Sequence, residues 1–502
     1  MDRTLGGFVV GACAFATAHA AQRLIAPFAG LGLTLYVAVL SACLIGFALG
    51  CIVGARPASA GRSASLAARA LLVAALLTLA SALLRRPLLE ALHGAELRLS
   101  VMAAAVLFAG LPSAGLGCAF AASHAEARGT DAIRGLAWLL AGAALAAPLT
   151  GYVLVPRLGL TLTLTVIAAA EAALALYSGA RRASLPATVS ALLVLAASAL
   201  VAVKPAAAAK VGPKLLEHRL GPESEYRVFD RDGARYLVAD GSIQAVVDTL
   251  SGDCIQRGPS ALELVKRFRT GRDSMLVLGL RGGALPLSFA RSGWRVRVVD
   301  PDSVAAAASR RVSYKPGELE LEVADPRRFV RADGRRYSVA VVDAFGSSDL
   351  PWTLGTREFF ADLAERVTED GLVVVIVEAH GWGDPLVGAL GATLRTRFAH
   401  VQALPTSEPP NALGTVLLFA SRQPVPFTDE QLPDPTEFFQ NPEALWVVQQ
   451  QLHAWLNRYD PQRAGGAVLT DDRTALDVWA DRVNRAARRE LHTFFGPHGG
   501  SW

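Results

Sequence analysis

At about Pro205 the chain changes character, and nothing constrains its fold more than that change. Before it the residues are mostly Ala, Leu, Val and Gly with isolated arginines; after it acids, bases and aromatics appear at the density of an ordinary water-soluble domain. Backbone polar groups in a bilayer must be satisfied within their own segment, so long apolar runs that cross one have to be helical. Apolar runs of spanning length fall at 5–22, 31–53, 67–84, 100–121, 135–154, 159–178 and 184–203. Residues 1–205 are therefore expected to form a polytopic α-helical domain of about seven spans, with the lipid bilayer as its first partner. The overall hydrophobic content of 52% averages this half with a soluble one.

Within the apolar half, the first run follows Arg3 and ends Ala18-His19-Ala20, which also has the form of a secretory signal with its cleavage site. Further spans follow at once, so it reads as a retained helix. Gly46, Gly50 and Gly54 repeat every four residues, a spacing that lets helix backbones approach closely in lipid. His19 and Arg23 share a face at the end of the first run, where an arginine is expected to snorkel to the headgroups. Basic residues flank the spans on both faces, so charge asymmetry does not fix the orientation.

Composition also narrows the function. A dispersed net charge of +5, with no basic block interleaved with aromatics, argues against nucleic acid as a partner. Four of the five cysteines lie in apolar runs and the nine histidines are scattered, so no disulfide framework or metal-ligand spacing is present.

The soluble half is organised around Ser274–Asp302. Met275 to Leu278 reads as a buried strand, Gly279, Gly282 and Gly283 as a glycine turn before a helix, and Val296 to Val299 as a second strand ending at Asp300. In an open α/β sheet such a turn lets a nucleotide-like ligand approach the backbone, and an acid about 20 residues on binds ribose hydroxyls. Strands ending at Asp325 and Asp343 continue the alternation, so three acids fall in succession at carboxyl ends of strands, where such sheets bind ligands. Upstream, short β-like runs separated by Asp232-Gly233 and Asp240-Gly241 predict a small antiparallel sheet. The expected organisation is a membrane domain (1–205), a linker and small sheet (206–258), an α/β Rossmann-like, class I methyltransferase-type domain (259–425), and a helical extension (426–502).

In order and spacing these residues resemble the spermidine synthase family, in its form fused to a multi-span membrane segment. Glu225-Tyr226-Arg227 resembles the family's opening PYQ, and Val238 to Gln244 its LDGxxQ. Val277 to Gly283 stands at the glycine loop, Val298-Val299-Asp300 at the ribose acid, and Val323-Ala324-Asp325 before the adenine pocket. Tyr337 to Phe345 with Thr356 to Phe360 resembles the surroundings of the catalytic acid, and Leu469-Thr470-Asp471-Asp472 the late LTDD. The resemblance implies aminopropyl transfer from decarboxylated S-adenosylmethionine to a putrescine-like amine, without a metal. It implies Asp343 as base and Asp349 as a second anchor. Asp300 would hold the ribose, Asp325 the adenine amino group and Gln244 the sulfonium-bearing chain. Tyr226 would line the substrate side, and Gly279, Arg281 and Gly283 the donor loop. A homodimer is implied too, and a cytosolic metabolite places the soluble half on the cytoplasmic side of the cell inner membrane.

Two departures stand out. The family's GGGDGG loop carries an aspartate where this chain has Gly282, preceded by Arg281, and Cys254-Ile255-Gln256 stands near its YHE. A guanidinium repels an ammonium and prefers a carboxylate, so Arg281 either binds the carboxylate of ordinary S-adenosylmethionine or points into solvent. Methyl transfer, a non-catalytic polyamine or nucleoside sensor, and a dinucleotide oxidoreductase are the alternatives these residues leave open.

Overall fold

In the computed structural model the described residues are 3–56, 60–92, 95–125, 127, 129–180, 194, 196–197, 214–221, 224–269, 273–315, 317–345, 351–407 and 410–495. They fall into two compact units, the first within residues 1–211 and the second Gly212–Phe494.

The first unit is helical: α1 (Arg3–Ala29), α2 (Leu33–Gly54), α3 (Ala60–Leu92), α4 (Leu97–Ala105), α5 (Leu111–His124), α6 (Thr130–Leu149) and α7 (Val155–Ala180). One π-turn, Val106–Gly110, joins α4 to α5, and another, Thr150–Leu154, joins α6 to α7. Among the described residues five helices are long and apolar enough to cross a membrane. That differs from the expected seven for two reasons. The fifth and sixth runs share one helical stretch, Thr130–Ser178, broken where Gly159 leaves helical geometry at φ 79° and ψ 164°. The seventh run, 184–203, lies outside the described residues apart from Val194, Ala196 and Ala197. Arg23 is a second difference. Because α1 continues to Ala29, Arg23 is not at a helix end and is buried in the bundle instead of snorkelling.

The predicted glycine ridge is a packing seam. A methyl group on Gly46, Gly50 or Gly54 would lie 2.1, 2.0 or 2.3 Å from the carbonyl oxygens of Gly110, Ala114 and Cys118. Gly11 and Gly142 make the same kind of contact between α1 and α6, at 1.9 and 2.0 Å from the Leu139 and Phe8 oxygens. Dispersion between close backbones, rather than hydrophobic exclusion, holds such helices together in lipid.

In the second unit β1 (Lys214–Leu220), β2 (Glu225–Arg231), β3 (Ala234–Ala239) and β4 (Ser242–Asp248) form an antiparallel meander. Both of its Asp-Gly turns have positive φ at both positions, 51° and 80° at Asp232-Gly233, 45° and 72° at Asp240-Gly241, as tight hairpins require. The edge strand β1 went unread in the sequence because its mostly half-exposed and exposed residues show no alternation.

The larger sheet contains β5 (Ser274–Leu278), β6 (Arg295–Asp300), β7 (Glu320–Val323), β8 (Tyr337–Phe345), β9 (Val367–His380), β10 (His400–Pro405) and β11 (Leu413–Ser421), in the order β10-β11-β9-β8-β5-β6-β7. β7 to β9 through β6, β5 and β8 pair in parallel, and β11 is antiparallel to both its neighbours. This is a Rossmann-like α/β fold, a mostly parallel sheet closed on one side by antiparallel strands. The strand residues alternate between two cores: Leu276, Leu278, Ala340 and Val342 face one, Met275, Val277, Val339 and Val341 the other. Burial on both faces explains why the strands read as continuous apolar runs. Helices α8 (Arg257–Leu262), α9 (Val265–Phe268), α10 (Ala284–Arg291), α11 (Ser303–Ser309), α12 (Pro326–Ala332), α13 (Arg357–Glu365), α14 (Pro385–Leu394), α15 (Pro442–Leu456) and α16 (Leu476–Phe495) complete the unit.

The seam makes a direct prediction. Gly50→Leu forces α2 away from α5 and should destabilise the bundle by about 2 kcal/mol or more, read as a lower unfolding temperature in detergent. Ile45→Ala, on the exposed side of α2, should leave it nearly unchanged.

Candidate functional site

The sheet order reverses between β5 and β8, and in such sheets the crevice beyond that switch point is where ligands lie. Gly279 ends β5 there with φ 105°, and a methyl group on it would sit 2.2 Å from the Asp343 carbonyl oxygen. No other residue fits so close to β8. Three further turn residues also have positive φ: Arg281 (35°), Gly282 (82°) and Gly283 (77°). For arginine this left-handed conformation costs about 1–2 kcal/mol, which the surroundings of its side chain must offset.

The turn and the first acid form one unit. Asp300 accepts the Leu280 N–H on Oδ2 and the Asp302 N–H on Oδ1, both at 2.9 Å. Burial raises its carboxyl above the usual range and those two backbone donors oppose the rise. Each oxygen keeps a lone-pair direction for a hydroxyl donor. Beside it stands Asp302, an acid that the sequence reading did not single out. It caps α11 through Oδ1, at 2.7 Å from the Val304 nitrogen, while its buried Oδ2 has no hydrogen-bond partner. The signal was the Asp-Pro-Asp spacing, which turns two acids into one corner. Tyr226 of β2 is buried against this corner, and burial, then Asp302 and Asp300, push its phenol well above the usual range. An adenosyl donor fits this chemistry: its ribose hydroxyls would satisfy the orphaned carboxylate oxygen.

Asp343, at the end of β8, is buried and already paired. Arg281 Nη1 lies 3.4 Å from its Oδ1, and Arg281 Nη2 donates to the Ile243 carbonyl on β4 at the same distance. The arginine thus turns inward, away from solvent, and ties the small sheet to the end of β8. Burial raises Asp343 above the usual carboxylate range, and Arg281 holds that rise back. Gln244 follows Ile243 and is half-buried on β4. Asp325 is exposed and caps α12, accepting the Arg328 N–H at 2.8 Å. Asp349 lies outside the described residues.

Other motifs meet in space although they are far apart in sequence. Asp471 of the late LTDD accepts the Thr356 hydroxyl at 2.7 Å and is held by both Arg327 terminal nitrogens at 2.9 and 2.6 Å. Its own N–H donates to Glu358 at 3.0 Å. Arg488, missed because α16 reads as a basic surface helix, is fully buried and donates to the Asp240 carbonyl at 2.9 Å. Cys254 lines a cleft of about 830 Å³ together with Ile255, Glu263 and Trp446. Burial above all pushes its thiol up to about 12, so it is protonated and unreactive at neutral pH.

Over 115 residues the chain is 26% identical to the polyamine aminopropyltransferase of Vibrio vulnificus (strain CMCP6), a match covering 21% of this chain and 38% of that protein. It thus spans well under half the length of the curated aminopropyltransferase it matches, and no family model matches it. Solved structures similar to this chain include a probable spermidine synthase from Corynebacterium glutamicum ATCC 13032, at 15% identity, 53% coverage of this chain, 99% of that chain and a TM-score of 0.42. They also include the spermidine synthase of Thermotoga maritima (15% identity, 50% and 87% coverage, TM-score 0.36) and human methyltransferase-like protein 13 in complex with SAH (16%, 41% and 94%, 0.30).

Electrostatics at the small sheet predict a pH dependence. Burial would raise Glu225, but Arg227 and His218 outweigh it and bring the carboxyl from 4.5 to about 2. A depressed acid stabilises the fold above its ordinary value and loses that contribution as pH falls toward the folded one. The C-terminal unit should therefore lose about 3 kcal/mol between roughly pH 4.5 and pH 2, a loss that chemical denaturation of Glu225→Gln at the same two pH values should not show.

Proposed function

We propose that the chain is a membrane-tethered transferase that binds an S-adenosylmethionine-type donor across the β5–β8 crevice. The reading rests on one observation above others: the glycine turn and Asp300 are locked together at the switch point, with the orphaned Asp302 oxygen beside them. Asp300 and Asp302 would hold the ribose, Gly279 and Gly283 would admit the donor to the backbone, and Asp325 would meet the adenine. Gln244 and Tyr226 would close the substrate side, with Asp349 a second anchor for the acceptor. The membrane helices would place the enzyme in the cell inner membrane with its C-terminal unit in the cytoplasm, and a homodimer belongs to the same reading.

For aminopropyl transfer from decarboxylated S-adenosylmethionine, Asp343 takes a proton from the acceptor ammonium. The freed nitrogen forms a bond to the methylene carbon next to the sulfonium, and the carbon–sulfur bond breaks to leave a neutral thioether. An ammonium must first replace the Arg281 guanidinium on Asp343, so acceptor entry and Arg281 release are coupled. The cleft beside Cys254 offers the acceptor a way in.

Methyl transfer is the second reading, and Arg281 is the observation that favours it. A guanidinium at the crevice matches a donor that keeps its carboxylate. A third, non-catalytic reading has the same pocket act as a polyamine or nucleoside sensor.

Calorimetric titration of the full chain in detergent with each donor tests these readings. At least one donor should bind, and Asp300→Ala should weaken it by roughly tenfold or more, about 1.4 kcal/mol; binding of neither donor by folded protein overturns both enzyme readings. Tighter binding of the decarboxylated donor, with Arg281→Ala improving diamine affinity, supports aminopropyl transfer. Tighter binding of the carboxylated donor, lost in Arg281→Ala, supports methyl transfer. A pH profile adds an independent check. Removing the cation that holds Asp343 down should move the acidic limb of the Arg281→Ala activity profile to higher pH, whereas Asp343→Asn should abolish turnover with donor binding retained.

A further inference from the structure

Glu171 lies near the middle of α7 and is fully buried, yet neither of its carboxylate oxygens has a hydrogen-bond partner. It sits where α1, α3 and α7 pack together. Ala168 and Ala172 on either side of it pack against Ala75 and Leu79 of α3, and Ile167 and Leu174 join the cluster that holds Cys13 of α1. The Thr78 hydroxyl of α3 approaches the carboxyl, and the Cys13 thiol is the titratable group that faces it from α1.

The hydroxyls around it are unusual in the same way. Serine and threonine in helices commonly return their hydroxyl to the carbonyl four residues earlier, and Ser81, Thr163, Thr165 and Ser178 do so here, each at 2.8 Å. Thr78 and Thr17 are buried and do not: the Thr78 hydroxyl faces the Glu171 carboxyl, and Thr17 has no partner within hydrogen-bond geometry. A carboxylate and two hydroxyls therefore present unfilled oxygens inside the bundle. Leaving a buried carboxylate without a partner costs several kcal/mol, and ionisable groups at membrane depth mark ion or proton sites.

We propose that Glu171 holds an exchangeable cation within the membrane unit, with Thr78 supplying a neutral oxygen ligand from α3. The cation is either the proton itself or a small monovalent ion. Such a site gives the helical unit a binding function of its own beyond anchoring.

Dicyclohexylcarbodiimide, which reacts with protonated carboxyls in apolar surroundings, tests this on the full chain in detergent, with peptide mass spectrometry to locate the adduct. Labelling of Glu171 should fall severalfold as pH is raised from about 5 to about 9, and Glu171→Gln should remove the adduct. If sodium or methylammonium ions protect the residue at constant pH, that ion occupies the site; pH dependence with no protection assigns the proton. Labelling indifferent to pH and to both ions, or no labelling at any pH in protein shown to be folded, overturns the proposal. Should Glu171→Gln fail to fold, the labelling of the unaltered chain still decides.

Discussion

The contact between Gly279 and the carbonyl of Asp343 is the constraint on which the C-terminal unit depends. It lies where the sheet changes direction, so the two strands flanking the crevice are separated only by the thickness of a backbone. Glycine is required there twice over, by φ 105° and by the missing Cβ. Once β5 must end against β8, the chain has to turn at once. After Leu280 it does so with Arg281, Gly282 and Gly283 in left-handed conformations, and the Arg281 side chain reaches the end of β8. The position of a glycine thus determines the environment of an acid 64 residues later.

That geometry also explains how three buried acids coexist at one sheet edge. Asp300 is held by two backbone donors, Asp302 by a helix start, and Asp343 by a guanidinium. Each solution has a different consequence for chemistry. Backbone donors leave lone pairs for a ligand, whereas a cation occupies the carboxylate that a second cation would need. Arg281 therefore sets which charge the crevice accepts, and its strained backbone is offset by the ion pair that the strain makes possible.

Much of this was legible in the sequence because the relevant signals are local. Continuous apolar strands, Asp-Gly turns with alternating flanks and the four-residue glycine ridge each carry their own physical reason. Cys13, Thr17 and Glu171 are single polar residues in apolar helices, and only packing shows whether such a residue has a partner. What escaped reading is non-local. Arg488 looks like one more base on an amphipathic helix until the Asp240 turn is packed against it. Arg281 was read as facing a ligand or solvent, because nothing in the sequence brings Ile243 and Asp343 to its two nitrogens. The edge strand β1 lacks alternation for the opposite reason: one of its flanks has no partner strand to impose it.

The same accounting separates the two units by what they do with buried charge. In the C-terminal unit the buried Asp343, Arg488 and Glu225 each have an oppositely charged or polar partner in the fold. Those pairs are internal, so a charged substrate has to compete with them. In the helical unit Glu171 has no charged partner, and the group that faces it from α3 is the neutral Thr78 hydroxyl. Close-packed glycine seams hold α2 against α5 and α1 against α6 elsewhere in that unit. A buried carboxyl without a charged partner in the fold is satisfied by a cation from outside it, whereas the acids of the C-terminal unit that carry a guanidinium partner must first give it up.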